Sequence, residues 1–150
     1  FTGETMETTF VQDMGRLLIN VCRLHHTRAD QAMERIGLYR GQAVLLIILS
    51  HGDGRTHSEI ANKLEISPAA ATKVIKRMEQ AGYVRRQADP NDERISRVYL
   101  CDQGRALIAE INRVFGALDQ AMLDDIPPAD LDQLRNLLTC MQANLQSYQP

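Results

Sequence analysis

Two helix-start signals, one at Thr56 and one at Ser67, lie so close together that the elements they open must cross sharply. Thr56 predicts a cap, and Glu59 three residues on completes a capping box that satisfies free backbone amides. Ile60, Ala61 and Leu64 then give the first helix an apolar face at roughly 3.6-residue spacing. Ser67 caps the second helix and Pro68 follows at its first position, where a missing amide hydrogen costs nothing. Only Glu65 and Ile66 remain between the two, so the spacing predicts a helix-turn-helix.

The second helix has two faces with different chemistry. Ala71, Val74, Ile75 and Met78 recur at core spacing, and Gly82 supplies a C-terminal stop. Ser67, Ala69, Ala70, Thr72, Lys73, Lys76 and Arg77 are small, hydroxylated or cationic. Small residues in a first turn allow close approach to a groove floor, where Thr and Lys reach base edges or phosphates. Taken alone, such a cationic face is more often an ordinary solvated one.

The segment that follows shifts the balance. Tyr83 to Arg86 predicts a short strand and Ile95 to Leu100 its partner, with Val98 and Leu100 on one side. Between them, Ala-Asp-Pro-Asn-Asp-Glu is dense in turn formers. A turn explains Asp89 and Asn91, but it does not explain Arg94 at the exit of the tip. An arginine on a hairpin tip suits a narrow minor groove, whose negative potential attracts it. Asp92 beside it would orient an arginine, either Arg94 itself or a strand residue such as Arg86.

The pattern resembles the MarR family of winged-helix transcription regulators. Thr72-Lys73, Arg77-Met78-Glu79, Gly82-Tyr83-Val84, Arg86, Asp92, Arg94, Val98, Leu100 and Gly104 carry the resemblance, and the helical flanks extend it over nearly the whole chain. It implies that the second helix reads the major groove and that Arg94 enters the minor groove. It also implies a homodimer joined by terminal helices from both chains. Lys73 stands where the family often has Arg, which weakens a bidentate guanine contact. Cys101 stands where the family usually has a Thr cap, a role open to Asp102.

Charge and periodicity agree with that resemblance. Residues 55–105 carry ten Lys and Arg against seven Asp and Glu, a net +3, whereas the rest of the chain holds seven against twelve, a net −5. Positive charge is concentrated where phosphate would lie, and a dimer doubles it. Leu131, Leu134, Leu138, Met141 and Leu145 recur in steps of three and four, the seam pattern of packed helices. Leu107, Ile111, Val114, Leu118 and Met122 do the same ahead of the Pro127-Pro128 break. Met14, Leu17, Leu18 and Val21 open a further amphipathic helix running towards Ile36. These faces exceed what one small winged domain can cover, so an intertwined homodimer is expected, with an intrachain bundle as the alternative. Gly41 to Leu49 is nearly continuously apolar and predicts a buried helix, a buried strand being the runner-up. His51 follows it at a position that the helix dipole favours.

A chain of 150 residues can bury a real core as a single domain. The expected plan is mainly α with a small β-hairpin wing: dimerisation helices over about 10–36 and 103–148 flank a winged helix-turn-helix over about 41–101. No stretch approaches the roughly 20 apolar residues that span a bilayer, and no signal-peptide pattern opens the chain. Phe1 to Thr5 precede Met6, read as the native start, and are assigned no function. Cys22, Cys101 and Cys140 are far apart and not in CxxC form, so reduced thiols and a cytoplasmic location are expected. Cys22, His25 and His26 share a helix turn, and some relatives in the family sense zinc, copper or peroxide. Three such residues without a fourth ligand more often mean an amphipathic helix, and neither metal nor cofactor is assigned. HExxH, GxSxG, Walker and GxGxxG motifs are missing, and His57, Ser58 and Glu59 point in different directions on a helix, so no catalysis is expected.

The expected function is a dimeric, ligand-responsive repressor on a pseudo-palindromic operator in double-stranded DNA. Ser67, Ala70, Thr72, Lys73 and Arg77 address the major groove, with Lys76 on phosphate. Arg94, oriented by Asp92, addresses the minor groove, and Arg86 and Arg97 support the wing or touch the backbone. The resemblance implies a small aromatic or phenolic effector held between the winged domain and the dimer helices, for which Arg16, His25, Arg28 and Tyr39 are the candidates. Two alternatives stand beside this: a redox- or metal-sensing regulator of the same fold, and a winged helix used only for protein interaction.

Overall fold

The computed structural model describes residues 3–149, with side chains from residue 8 onward. Along the chain run α1 (Gly3–Glu34), α2 (Arg40–Ser50), β1 (Arg55–Thr56), α3 (His57–Leu64), α4 (Pro68–Gln80), β2 (Val84–Ala88), β3 (Ser96–Leu100), α5 (Asp102–Leu123) and α6 (Pro128–Ser147). They fall into two compact units, Phe1–Leu118 and Asp119–Pro150. Phe1 and Thr2 lie outside the described residues, as do the side chains up to residue 7, so of the segment read as functionless only the backbone from Gly3 onward is described.

The apolar run after Gly41 is a helix, and it sits at the centre of the first unit. Its start is tied by the Tyr39 amide donating to Gln42 Oε1 at 2.9 Å. At its end His51 Nδ1 lies 2.8 Å from the Ile47 carbonyl, which can only accept, so this nitrogen carries the proton. Ala43, Leu45, Leu46 and Leu49 are buried on several sides of the helix, as expected of one enclosed by neighbours. Around them pack Met33 and Leu38, Ile60 of α3, Ile75 and Met78 of α4, Val84, Val98 and Leu100 of the sheet, and Ile111 of α5. The last turns of α1 and the first half of α5 therefore belong to this core. Truncating a large member to Ala costs about 2–5 kcal/mol.

The helix-turn-helix forms as its caps dictate. Thr56 Oγ1 accepts the Glu59 amide at 3.2 Å and Glu59 Oε2 accepts the Thr56 amide at 2.7 Å. The Thr56 amide, and after it the Thr56 hydroxyl, hold the Glu59 carboxyl below its ordinary value. Glu65 adopts the left-handed conformation (φ 54°), and the Ile66 amide reaches back to the Ala61 carbonyl at 3.1 Å. Ser67 Oγ accepts the Ala70 amide at 3.2 Å, starting α4. That helix stops where Gly82 turns left-handed (φ 77°) and the Tyr83 amide bonds the Met78 carbonyl at 3.0 Å.

The sheet has the order β1-β3-β2 and is antiparallel throughout. Its hairpin pairs Val84 with Leu100, Arg86 with Val98 and Ala88 with Ser96, so the first strand runs two residues further towards the tip than its apolar pattern predicts. The strand β1 is too short to leave a periodic trace, and it pairs Arg55 with Val98 and Thr56 with Arg97. A Cβ on Gly104 would stand 2.3 Å from the Tyr83 carbonyl oxygen, so α5 leaves the sheet at a distance only glycine permits. The helix α5 begins at Asp102, after the Cys101 carbonyl accepts the Arg105 amide at 2.9 Å. Asp102 thus lies in the first turn, where its charge suits the helix dipole, rather than at the cap.

The outer helices contrast with this core. The helix α1 begins well before the expected residue 10, at Gly3. Phe10, Val11, Leu17, Ile19 and Leu24 on it are exposed, and α6 has no buried residue at all. Leu145 is 75% exposed. No helix among the described residues is long and apolar enough to cross a membrane.

Candidate nucleic-acid interface

Helix α4 keeps its apolar residues inward and its cations outward. Ala71, Ile75 and Met78 are buried, while Thr72, Lys73, Lys76 and Arg77 are exposed. Among the described residues none of the three cations is in an ion pair, so each is open to an external anion. Ser67 is engaged through its acceptor oxygen in the cap, which leaves its hydroxyl proton free to donate. Thr72 Oγ1 donates to the Pro68 carbonyl at 3.0 Å, leaving its lone pairs facing solvent. Ala70 is half-buried and adds no bulk at the start of the helix.

The wing is organised differently, by carboxylates. Arg94 projects with its side chain 90% exposed, yet it is held in a two-pronged pair: Nε to Asp92 Oδ1 at 3.0 Å and Nη2 to Oδ2 at 3.2 Å. The Arg94 amide also donates to Asp92 Oδ1, at 3.1 Å. This guanidinium holds the Asp92 carboxyl below its ordinary value. Of the two arginines that Asp92 was expected to orient, it is Arg94 that it holds. Arg86 is tied instead to Glu79 of α4, through Nε at 2.9 Å and Nη2 at 2.7 Å, and it lowers the Glu79 carboxyl in turn. Arg97, one-third exposed, is bonded to Asp89 and donates through Nη1 to the Gly54 carbonyl at 2.9 Å. Arg86 and Arg97 are thus each bonded to one of the protein's own acids.

Glu79, Asp89 and Asp53 make pairings that the sequence reading did not assign. Asp53 accepts the Leu100 amide at 2.8 Å and Arg105 at 2.7 Å, fixing the turn after α2 to the end of β3. Asp53 reaches partners 47 and 52 residues away, while Glu79–Arg86 and Asp89–Arg97 span seven and eight residues but join different elements or the two sides of the hairpin. Among the four candidate effector residues, Arg28 alone lines the cleft of about 410 Å³ within the first unit. Arg35 and Arg113 line it too, over Ile36, Val114 and Leu118. Arg28 donates to Gln31 at 2.9 Å, and Arg113 pairs with Glu110 at 2.7 Å. Arg16 is exposed and pairs with Asp13 at 3.5 Å; Tyr39 is exposed at the start of α2; the His25 ring lies 6.3 Å from that of His26. Cys22 and Cys140 are exposed and Cys101 half-buried, all as free thiols. Among the described residues no three His, Cys, Asp or Glu side chains gather as a metal site would require.

The fold that carries this helix and hairpin is shared with known proteins. Residues 38–96 match the model of the MarR family. The uncharacterized HTH-type transcriptional regulator YdgJ of Bacillus subtilis (strain 168) is 30% identical over 113 residues, covering 75% of this chain and 69% of that protein. The HTH-type transcriptional repressor Rv2887 of Mycobacterium tuberculosis (strain ATCC 25618 / H37Rv) is 27% identical over 125 residues, covering 83% and 90%. Among solved structures, the transcriptional regulator SlyA superposes with a TM-score of 0.78 at 25% identity, over 89% of this chain and 94% of that one. A mutant E. coli MarR complexed with operator DNA shares the fold, with a TM-score of 0.77 at 22% identity over 87% and 94%. By sequence, fold and the face it leaves open, the chain belongs to the MarR family of winged-helix transcriptional regulators, which are DNA-binding proteins and not enzymes.

Proposed function

We propose that the chain is a homodimeric repressor that docks on a pseudo-palindromic operator and is released by a small aromatic or phenolic ligand. The observation that carries the DNA-binding half is the difference in pairing: Lys73, Lys76 and Arg77 stand exposed and in no ion pair among the described residues, next to an Arg94 held out by Asp92. Ser67, Ala70, Thr72, Lys73 and Arg77 address the major groove in this reading, and Lys76 a phosphate. Arg94 with Asp92 addresses the minor groove, while Arg86 and Arg97 brace the wing. The exposed apolar faces of α1 and α6 support a second copy as their cover. Twofold symmetry then spaces two recognition helices about one turn of DNA apart. The repressor sense rests on the name of the mycobacterial relative, and the operator on the E. coli MarR complex. A DNA-binding role implies a cytoplasmic location.

For the ligand, the Arg28 cleft offers cations above an apolar floor, the complement of an aromatic carboxylate. Arg16, His25 and Tyr39 remain further candidates. A gel shift with the DNA upstream of the chain's own gene tests the main reading, with random duplex as the competitor. Preference for the upstream duplex by a species that sediments as a dimer is expected. Equal binding to both duplexes would favour a winged helix that meets an acidic protein partner. Loss of the dimer would remove the operator geometry. Small aromatic acids should raise the melting temperature by mass action, and Arg28→Ala should abolish that rise.

A further inference from the structure

Asp89 is the described acidic residue most completely removed from solvent, its side chain only 7% exposed, although it lies in a surface hairpin. A turn that merely favours Asp would leave the carboxylate in water. Here both oxygens are used. Oδ1 accepts the Asn91 amide at 2.7 Å and the Asp92 amide at 3.3 Å, while Oδ2 is bonded to Arg97 Nε. Burying a carboxylate is costly unless it is paired and hydrogen-bonded, and this one is both. The Asp89 amide adds a bond to the Ile95 carbonyl at 2.8 Å, closing the loop across its base. Arg97 carries the connection onward to the Gly54 carbonyl, and the Gly54 amide returns to Val98 at 3.0 Å.

We propose that Asp89 is a positioning residue for DNA contact: with Arg97 it locks the loop that presents the Asp92–Arg94 pair to the turn between α2 and β1. The proposal rests on the reading that Arg94 enters the minor groove. The chain of contacts has two ends. Asp89 grips the backbone amide of Asp92, the residue that aims Arg94, and Arg97 grips a turn packed against the winged-helix core. Without the carboxylate the hairpin strands still pair, but the tip loses its fixed angle. Arg94 must then be ordered at the moment of binding, which weakens affinity.

A double-mutant cycle on the full chain tests this, with the upstream duplex as probe and with melting temperature and amide exchange recorded for every variant. Asp89→Ala should weaken binding about fivefold in the wild-type background and by less than about twofold alongside Arg94→Ala, the non-additivity of residues acting through one another. Exchange at the Asn91 and Asp92 amides should quicken while the amides of α2 and α4 stay protected. Asp89→Asn, which keeps the shape and an acceptor oxygen, should fall between wild type and Asp89→Ala. It also substitutes for Asp89→Ala if that variant does not fold. Equal losses in both backgrounds, or unchanged exchange at Asn91 and Asp92, overturn the proposal and leave the wing reading standing. If Arg94→Ala alone binds as tightly as wild type, the minor-groove reading itself fails, and this proposal with it.

Discussion

The recognition helix and the wing present cations to solvent by opposite means. On α4, Lys73, Lys76 and Arg77 are exposed and make no ion pair among the described residues. On the hairpin, Arg86, Arg94 and Arg97 are each held by a carboxylate: Glu79, Asp92 and Asp89. The difference follows from the backbone. A helix fixes the direction of each Cβ through its own hydrogen-bond ladder, so side chains on one face need no further guidance. Arg94, at the hairpin tip, has no such ladder and is aimed by its pair with Asp92, whereas Arg86 and Arg97 lie in the paired strands and are bonded to Glu79 and Asp89. The wing therefore sets carboxylates among its arginines to gain direction, whereas the outer face of the helix keeps its full positive charge.

The sharpest test of this contrast removes the free cations together. Replacing Lys73, Lys76 and Arg77 with Ala should weaken DNA binding at least about a hundredfold and lower the salt slope by about two to three units. Its melting temperature should stay at the wild-type value, and a clear drop would mean these residues are structural after all. Next in size is Arg94→Ala, for which about a tenfold loss and a slope lower by about one unit are expected. An unchanged slope would take the wing off the DNA. Smaller again is Glu79→Gln, which releases Arg86. It should lower stability by no more than about 1 kcal/mol, because the pair is partly exposed, and it should shift affinity little. Calorimetry and a gel shift on the same variant separate the two effects.

The smallest expected effect is on the response to acid. Glu79, Asp89 and Asp92 all titrate below their ordinary values in the folded chain, chiefly because an arginine bonds to each. The unfolded chain therefore binds more protons than the folded one as pH approaches 4. The stability these groups contribute is present above the ordinary values, 4.5 for the Glu and 3.8 for the Asp residues, and is lost as pH falls through the lower folded values. Melting temperatures measured from pH 7 to pH 3 should fall, and Asp92→Asn should shallow that fall. The Lys73, Lys76, Arg77 triple variant should follow the wild-type curve.

How far the sequence reaches differs between the same two regions. Thr56 with Glu59, and Ser67 with Pro68, are local signals whose partners lie within three residues, and both caps form as they predict. The apolar run after Gly41 identified a buried element, and flanking glycines were enough to favour a helix over a strand. The Asp92–Arg94 pair was within reach for the same reason, its members being two residues apart. Glu79–Arg86, Asp89–Arg97 and Asp53–Arg105 were not, since their side chains meet only once strands pair and helices dock. Nor was β1, of which Thr56 read only as a helix cap and whose two residues owe their strand character to the neighbouring β3.

Local chemistry in the chain thus specified helix starts, helix stops, the hairpin and the faces that carry positive charge, because each depends on neighbours a few residues away. Which carboxylates Arg86 and Arg97 meet was decided by tertiary contacts. That choice depends on strand register and on the approach of α4 to the sheet, and a free-energy difference set by burial and pairing leaves no mark in local spacing.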